Sequence, residues 1–102
     1  MKTKNELKRE WHKQCREKTL FCWLCGQLIL KESEISVDHV IPQSKGGTNV
    51  ETNLQPAHIL CNNIRDVIEP DVFRDILNKE YGGNIRAWWK VLHLNHLEKI
   101  RK

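Results

Sequence analysis

No stretch of this sequence approaches the roughly 20 consecutive apolar residues that a membrane-spanning helix needs. The first eight residues, Met1 to Lys8, hold no apolar core, so a secretory signal is not expected. There is no internal repeat and no low-complexity tract. Only 39% of the residues are hydrophobic, and the cysteines number four. A chain of 102 residues is expected to form one small domain. Such a domain buries only about two-thirds of the surface its unfolded chain exposes, so a metal, a disulfide or an oligomer often supplements its core. Membrane proteins, secreted disulfide miniproteins and large cofactor enzymes are therefore not expected.

Charge is unevenly spread. Residues 1–20 carry seven Lys/Arg against three Glu, and residues 80–102 carry five Lys/Arg against two Glu. The middle, residues 21–79, carries five Lys/Arg against eight Asp/Glu. Two basic ends flanking an acidic middle suit a nucleic-acid binder, because each neutralised phosphate releases a counterion. They equally suit two solvated helix faces.

Leu7, Trp11 and Cys15 recur every four residues and predict a helix over 5–18, with Asn5 as its cap. Residues 20–37 read as a knuckle followed by short strands, through Leu28, Leu30, Ile35 and Val37. Residues 42–56 are rich in turn formers and read as a long loop, of a length that is often functional. A helix is expected from His58 to about Glu69, bounded by Pro70. A second runs from Asp71 to Tyr81, closed by Gly82-Gly83. Asn84 is expected to cap a last helix, with Ile85, Trp88, Trp89 and Leu92 on one side and Val91, Leu94 and Leu97 close by. His12, His93 and His96 are assigned to solvated or packed faces, and Trp88-Trp89 to packing.

Four residues have the spacing of a structural zinc site. Cys22 and Cys25 form C-x2-C, and His58 and Cys61 form H-x2-C. Two intervening residues let both side chains of a knuckle point at one tetrahedral centre, here a Cys3His set. Zinc binding is folding energy for a small core. A disulfide framework is disfavoured without a secretory context, and the second pair favours zinc over a redox C-x2-C. Cys15, on the apolar stripe, is expected to be buried rather than a ligand.

Between the pairs runs Val37-Asp38-His39-Val40-Ile41-Pro42-Gln43-Ser44-Lys45-Gly46-Gly47-Thr48-Asn49-Val50-Glu51-Thr52-Asn53-Leu54-Gln55-Pro56, and Cys61-Asn62-Asn63-Ile64-Arg65 follows. Over residues 22–65 the chain resembles the HNH endonucleases of the ββα-metal, or His-Me finger, type. Their pattern is C-x2-C, D-H-h-h-P with a G-G loop, N-L-Q, then C-x2-C followed by His or Asn and a basic residue three positions on. Asp38 and His39 match the D-H pair, Asn53 the middle Asn, Asn62 the final His-or-Asn, and Arg65 the basic position. His58 stands where the family usually has Cys, which keeps the ligand count.

The resemblance implies an α+β fold: a zinc-stabilised ββα-metal core at about 20–69, with helical extensions over 1–19 and 70–102. It implies His39 as a general base, largely neutral at pH 7–8, that takes a proton from water. Asp38 and Asn62 offer hard oxygens to Mg²⁺ or Mn²⁺. Asn53 would hold the long loop and fix the His39 ring, and Arg65 would bind a phosphate.

The implied activity is metal-dependent cleavage of double-stranded DNA, by nicking or double-strand cutting. The implied products carry 3′-hydroxyl and 5′-phosphate ends, with a weak or short sequence preference. Lys8, Arg9, Lys13, Arg16, Lys45 and Arg65 are the expected DNA contacts, with Lys99, Arg101 and Lys102 a further basic group. The resemblance also implies a monomer or weak dimer in the cytoplasm, in a bacterial host if phage-encoded, with a phage terminase as the partner such a context suggests. The rival reading is a non-catalytic zinc knuckle that binds DNA or a protein. It accounts for the four zinc ligands and the basic ends, but not for Asp38-His39 together with Asn53 and Asn62.

Overall fold

The computed structural model describes the backbone of residues 1–101 and the side-chain surroundings as far as Leu94. The expectations for His96, Leu97, Lys99, Arg101 and Lys102 fall outside the described residues. None of the described helices is long and apolar enough to cross a membrane.

The first helix, α1 (Lys4–Arg16), starts one residue before the predicted one and is capped by Thr3, not Asn5. Thr3 Oγ1 accepts from the Glu6 backbone N–H at 3.2 Å, and Glu6 Oε1 reaches back to the Thr3 N–H at 3.5 Å. This reciprocal box satisfies two of the orphan donors of the first turn. Leu7, Trp11 and Cys15 are buried in one stripe, as their spacing predicts. The Cys15 thiol donates to the Ile29 carbonyl at 3.1 Å, which ties the helix to the segment after the knuckle.

That knuckle is a tight hairpin. Phe21 and Leu28 form an isolated bridge, the Cys22 N–H donates to the Gln27 carbonyl at 2.8 Å, and Gly26 turns the chain at a φ of 78°. Two strands follow, β1 (Ile35–His39) and β2 (Leu54–His58), paired antiparallel with Ile35 opposite His58 and His39 opposite Leu54. The second strand occupies the end of the stretch whose turn formers read as loop. Pro56 is tolerated because the sheet has only two strands, so its missing N–H costs no ladder bond on an outer edge. Its carbonyl accepts from the Trp23 N–H at 3.0 Å, which docks the knuckle on β2.

The chain turns directly from β2 into α2 (Ile59–Arg65), which is shorter than predicted. Asp66 ends it with a φ of 48°, outside the helical region. The last two helices agree with expectation. Pro70 takes the first position of α3 (Pro70–Tyr81), where its missing N–H is no loss, and Gly82 closes it in the left-handed region. Asn84 Oδ1 caps α4 (Ile85–Arg101) by accepting from the Arg86 and Ala87 N–H groups.

One buried cluster joins these elements: the α1 stripe, Leu20, Cys22, Leu24 and Ile29 of the knuckle region, the hairpin, and Phe73, Leu77 and Trp88. Trp88 lies between Phe73 and Tyr81, with ring centroids 5.1 and 5.3 Å away. Trp89 and Leu92, expected on the same side, are 47% and 44% exposed. The whole is a small α+β fold with a Cys3His cluster compatible with a zinc-stabilised ββα core.

Candidate active site and metal centre

The zinc candidates converge. Sγ of Cys22, Cys25 and Cys61 and a ring nitrogen of His58 all lie within 4.8 Å of one another. His58 Nδ1 is 3.4 Å from Cys25 Sγ and 3.7 Å from Cys61 Sγ. Bonds of about 2.3 Å to sulfur and 2.0–2.1 Å to nitrogen in a tetrahedral site demand a separation of about 3.6 Å, so the donor set fits zinc. The surroundings fit as well. His58 Nε2 lies 3.1 Å from the Leu28 carbonyl oxygen, which holds hydrogen on Nε2 and leaves the Nδ1 lone pair facing the sulfurs. Cys22 Sγ accepts from the backbone N–H groups of Cys25 and His58.

Charge is shared within the cluster. Hydrogen bonds from the Cys25 and Cys61 thiols hold the Cys22 thiol far below its ordinary value. The bond to Cys22, together with Cys25, pushes Cys61 up. Bonding to the Cys22 and Cys25 sulfurs pushes His58 up to about 10. Cys15 is no ligand: it stands apart on α1, and burial pushes its thiol up.

On the other side of the hairpin's end, β1 and α2 meet. Asn62 Nδ2 donates to Ser36 Oγ at 3.2 Å and approaches the Val37 carbonyl at 3.5 Å. Its Oδ1 makes none of the hydrogen bonds found among the described residues. Asp38, the next residue along β1, is 3% exposed. Its Oδ2 accepts from Trp23 Nε1 at 2.7 Å, and Arg65 Nη1 bridges Oδ1 and Oδ2 at 3.0 and 2.9 Å. Burial pushes the Asp38 carboxyl up, and the Arg65 charge and the Trp23 N–H oppose that rise. A carboxylate has about four acceptor sites. Three are used here, which leaves one on Oδ1.

Arg65 is where expectation and structure part. It was expected to meet a phosphate, yet it is 1% exposed. Besides Asp38, it donates to the carbonyls of His39, Val40 and Ile68 at 2.8, 2.9 and 2.8 Å. Its flat, forked guanidinium matches this set of acceptors, so it clamps the backbone that leaves β1. Lys45 is exposed and makes surface contacts within the chain, 3.2 Å from the Val67 carbonyl and 3.6 Å from Glu69.

Asn53 braces the long loop. Its Oδ1 accepts from the Ile41 N–H at 2.8 Å, and its Nδ2 donates to the carbonyls of Ile41 and Thr48 at 3.2 and 2.8 Å. It does not touch the His39 ring. That contact belongs to Asn49, whose Oδ1 is 2.7 Å from His39 Nε2. Gly46 and Gly47 make the loop possible. Gly46 has a φ of 90°, and a Cβ on Gly47 would run into the Ile41 carbonyl oxygen.

Asn49, Trp23 and Arg74 escaped the sequence reading. Asn49 stood among turn formers, and Trp23 among the zinc ligands. Arg74 reaches from α3 to donate twice to the Trp23 carbonyl, at 2.6 and 3.2 Å, with its guanidinium 4.9 Å from the centre of a Trp23 ring.

A paired Asp-Arg, a propped histidine and a Cys3His cluster thus lie within the knuckle, the β1–β2 hairpin and one short helix. A comparison with protein-family models matches residues 22–66 to the family described as HNH endonuclease. Over these residues the chain is similar to HNH endonucleases. A search of curated proteins finds no match. An HNH domain with this cluster suggests a nuclease-type function with metal binding, and DNA as what it binds.

Proposed function

We propose that the protein is a metal-dependent endonuclease that hydrolyses DNA phosphodiester bonds. The observation that supports it most is the position of His39: at the end of β1, one residue beyond Asp38, with its ring held through Nε2. Nδ1 is then the ring atom that accepts a proton from the attacking water. Asp38 Oδ1 and Asn62 Oδ1, from the strand and the helix, would hold Mg²⁺ or Mn²⁺. Such an ion would take its remaining ligands from water and phosphate. A divalent ion there would supply charge stabilisation for phosphodiester hydrolysis. Arg65 acts from below, by fixing Asp38 and the His39 backbone rather than by touching DNA.

The basic face of α1 is the proposed track for the DNA backbone. Lys8, Arg9 and Lys13 are exposed, while Arg16 is paired with Glu32 at 2.6 Å. The Lys2 N–H reaches Glu51 Oε2 at 3.1 Å, so α1 begins beside the long loop and ends near the entrance to β1. A phage context and a terminase partner rest on the resemblance alone.

The near-complete burial of Asp38 favours one second reading, a zinc module that binds DNA without cutting it. Plasmid nicking with and without Mg²⁺ decides between them. His39→Ala should lower the nicking rate by about 10²–10⁴-fold, as loss of a general base does, while zinc content and folding persist. Absence of metal-dependent nicking in the wild-type protein would sink the nuclease reading.

A further inference from the structure

We propose that Asn49 is a positioning residue for His39: its side-chain carbonyl oxygen holds the ring and selects the tautomer with hydrogen on Nε2. Nδ1 then carries the lone pair. The proposal rests on the nuclease reading for its consequence in catalysis, and on geometry alone for its structural half.

The geometry is short and one-sided. Asn49 Oδ1 lies 2.7 Å from His39 Nε2. An amide oxygen only accepts, so the hydrogen of this bond belongs to the ring. Fixing one nitrogen of an imidazole as donor defines the other as acceptor. The opposite amide orientation would present a donor and select the opposite tautomer, so the tautomer itself is the decisive observable.

Asn49 is exposed, and a loop residue in solvent holds a ring only if its backbone is held. Here it is. The residue before it, Thr48, gives its carbonyl to Asn53 Nδ2 at 2.8 Å. The loop's start is folded on itself by Lys45 and Gly47 N–H groups donating to the Pro42 carbonyl, at 2.9 and 3.0 Å, and by Gly46 N–H donating to Gln43 at 3.0 Å. Gly47 lies so close to the Ile41 carbonyl that no side chain fits. On the other side, Arg65 grips the His39 carbonyl at 2.8 Å. The two jobs expected of Asn53 are therefore divided. Asn53 braces the loop, and Asn49, at the end of the braced segment, props the ring.

The test compares Asn49→Ala and Asn49→Asp with wild type in the full-length, zinc-loaded protein. Asp keeps an acceptor oxygen at the same reach, and Ala removes it. Ring ¹⁵N shifts of His39 should report hydrogen on Nε2 in wild type and Asn49→Asp, and a tautomer mixture in Asn49→Ala. With plasmid DNA and Mg²⁺, Asn49→Ala should lower kcat by about 10- to 100-fold, the scale of a misplaced reacting group. KM should stay within about twofold, as befits a group that does not bind substrate. Asn49→Asp should recover most of the loss. Wild-type hydrogen on Nδ1, or His39 shifts and kcat that are unchanged in Asn49→Ala, would overturn the proposal. So would equal kcat losses in both variants. If the tautomer follows Asn49 while wild-type protein cuts no DNA, the positioning stands and the nuclease reading falls.

Discussion

Arg65 and Asp38 form a sealed ion pair, with Nη1 at 2.9 and 3.0 Å from the two carboxylate oxygens and side-chain exposures of 1% and 4%. The pair joins α2 to β1 at the residue before His39. Its energetic weight is asymmetric. Assembling such a pair contributes little net stability, but removing one partner strands the other charge in a dry place.

Arg65→Met should therefore destabilise the zinc-loaded protein by about 3–5 kcal/mol, the usual cost of orphaning a buried charge. Arg65→Lys should also destabilise it, because a single ammonium cannot serve Asp38 and three carbonyls from one fork. Urea unfolding followed by circular dichroism measures both. A solvent-facing phosphate ligand would show neither loss, so an unchanged unfolding midpoint refutes the clamp.

His58 is expected to be the fourth zinc ligand. His58→Cys should keep zinc and fold, since thiolate and imidazole both suit a tetrahedral site. His58→Ala should lose zinc, and Cys15→Ala should not. Elemental analysis of the purified variants settles the assignment. Zinc retained by His58→Ala would exclude it.

Proton linkage gives a separate check. In the metal-free fold the sulfurs of Cys22 and Cys25 push His58 up to about 10, above the ordinary value of about 6.5. A raised value means that the charged ring stabilises the metal-free fold, fully below about 6.5, and that this support fades as pH rises through about 10. At neutral pH zinc must displace that proton, so zinc uptake should release protons and weaken on acidification. Calorimetric titration of zinc in buffers of different ionisation enthalpy counts the protons, and uptake without release would contradict a His58 ligand.

Gly47→Ala should break the loop, because the added Cβ meets the Ile41 carbonyl oxygen. Backbone on backbone has little room to yield, so the loop must move and carry Asn49 away from His39. The expected result is a loss of nicking with zinc content unchanged. Full activity in Gly47→Ala would show that the loop's path does not matter to His39.

Neutralising Lys8, Arg9 and Lys13 to Gln should weaken DNA binding at low salt. It should also flatten the slope of log K against log[salt] by up to about 0.9 for each phosphate that is no longer neutralised. Arg16→Gln should do less, because its guanidinium already serves Glu32. Fluorescence anisotropy across a salt series reads both, and an unchanged slope would make α1 a merely solvated helix.

Much of this architecture is legible in the sequence where the determinant is local. The α1 stripe, the Gly82 stop of α3 and the Asn84 cap each depend on a few neighbouring residues. The zinc set is legible for the same reason, as two knuckle-spaced pairs. What escapes is what distant contacts decide. Asn53 and Pro56 read as turn formers, yet pairing with β1 makes a strand of Leu54–His58, Pro56 included. A basic residue three positions after Asn62 gives no sign of whether it faces solvent or Asp38, and only the packing of α2 on β1 turns Arg65 inward. Asn49 looks like any turn asparagine until the folded loop brings it to His39.

Of the fifteen buried apolar residues found among the described residues, seven lie outside 22–66: Leu7, Trp11, Cys15 and Leu20 before it, and Phe73, Leu77 and Trp88 after it. Arg74, also outside, grips Trp23, which in turn holds Asp38. The recognisable segment is thus not a portable cassette. Grafted alone onto another scaffold, it would leave half its interior behind and lose the brace on its own acidic residue. Any transplant or minimal version has to carry α1, α3 and the Trp88 end of α4 with it, so changes in those flanking helices reach the hairpin from outside it.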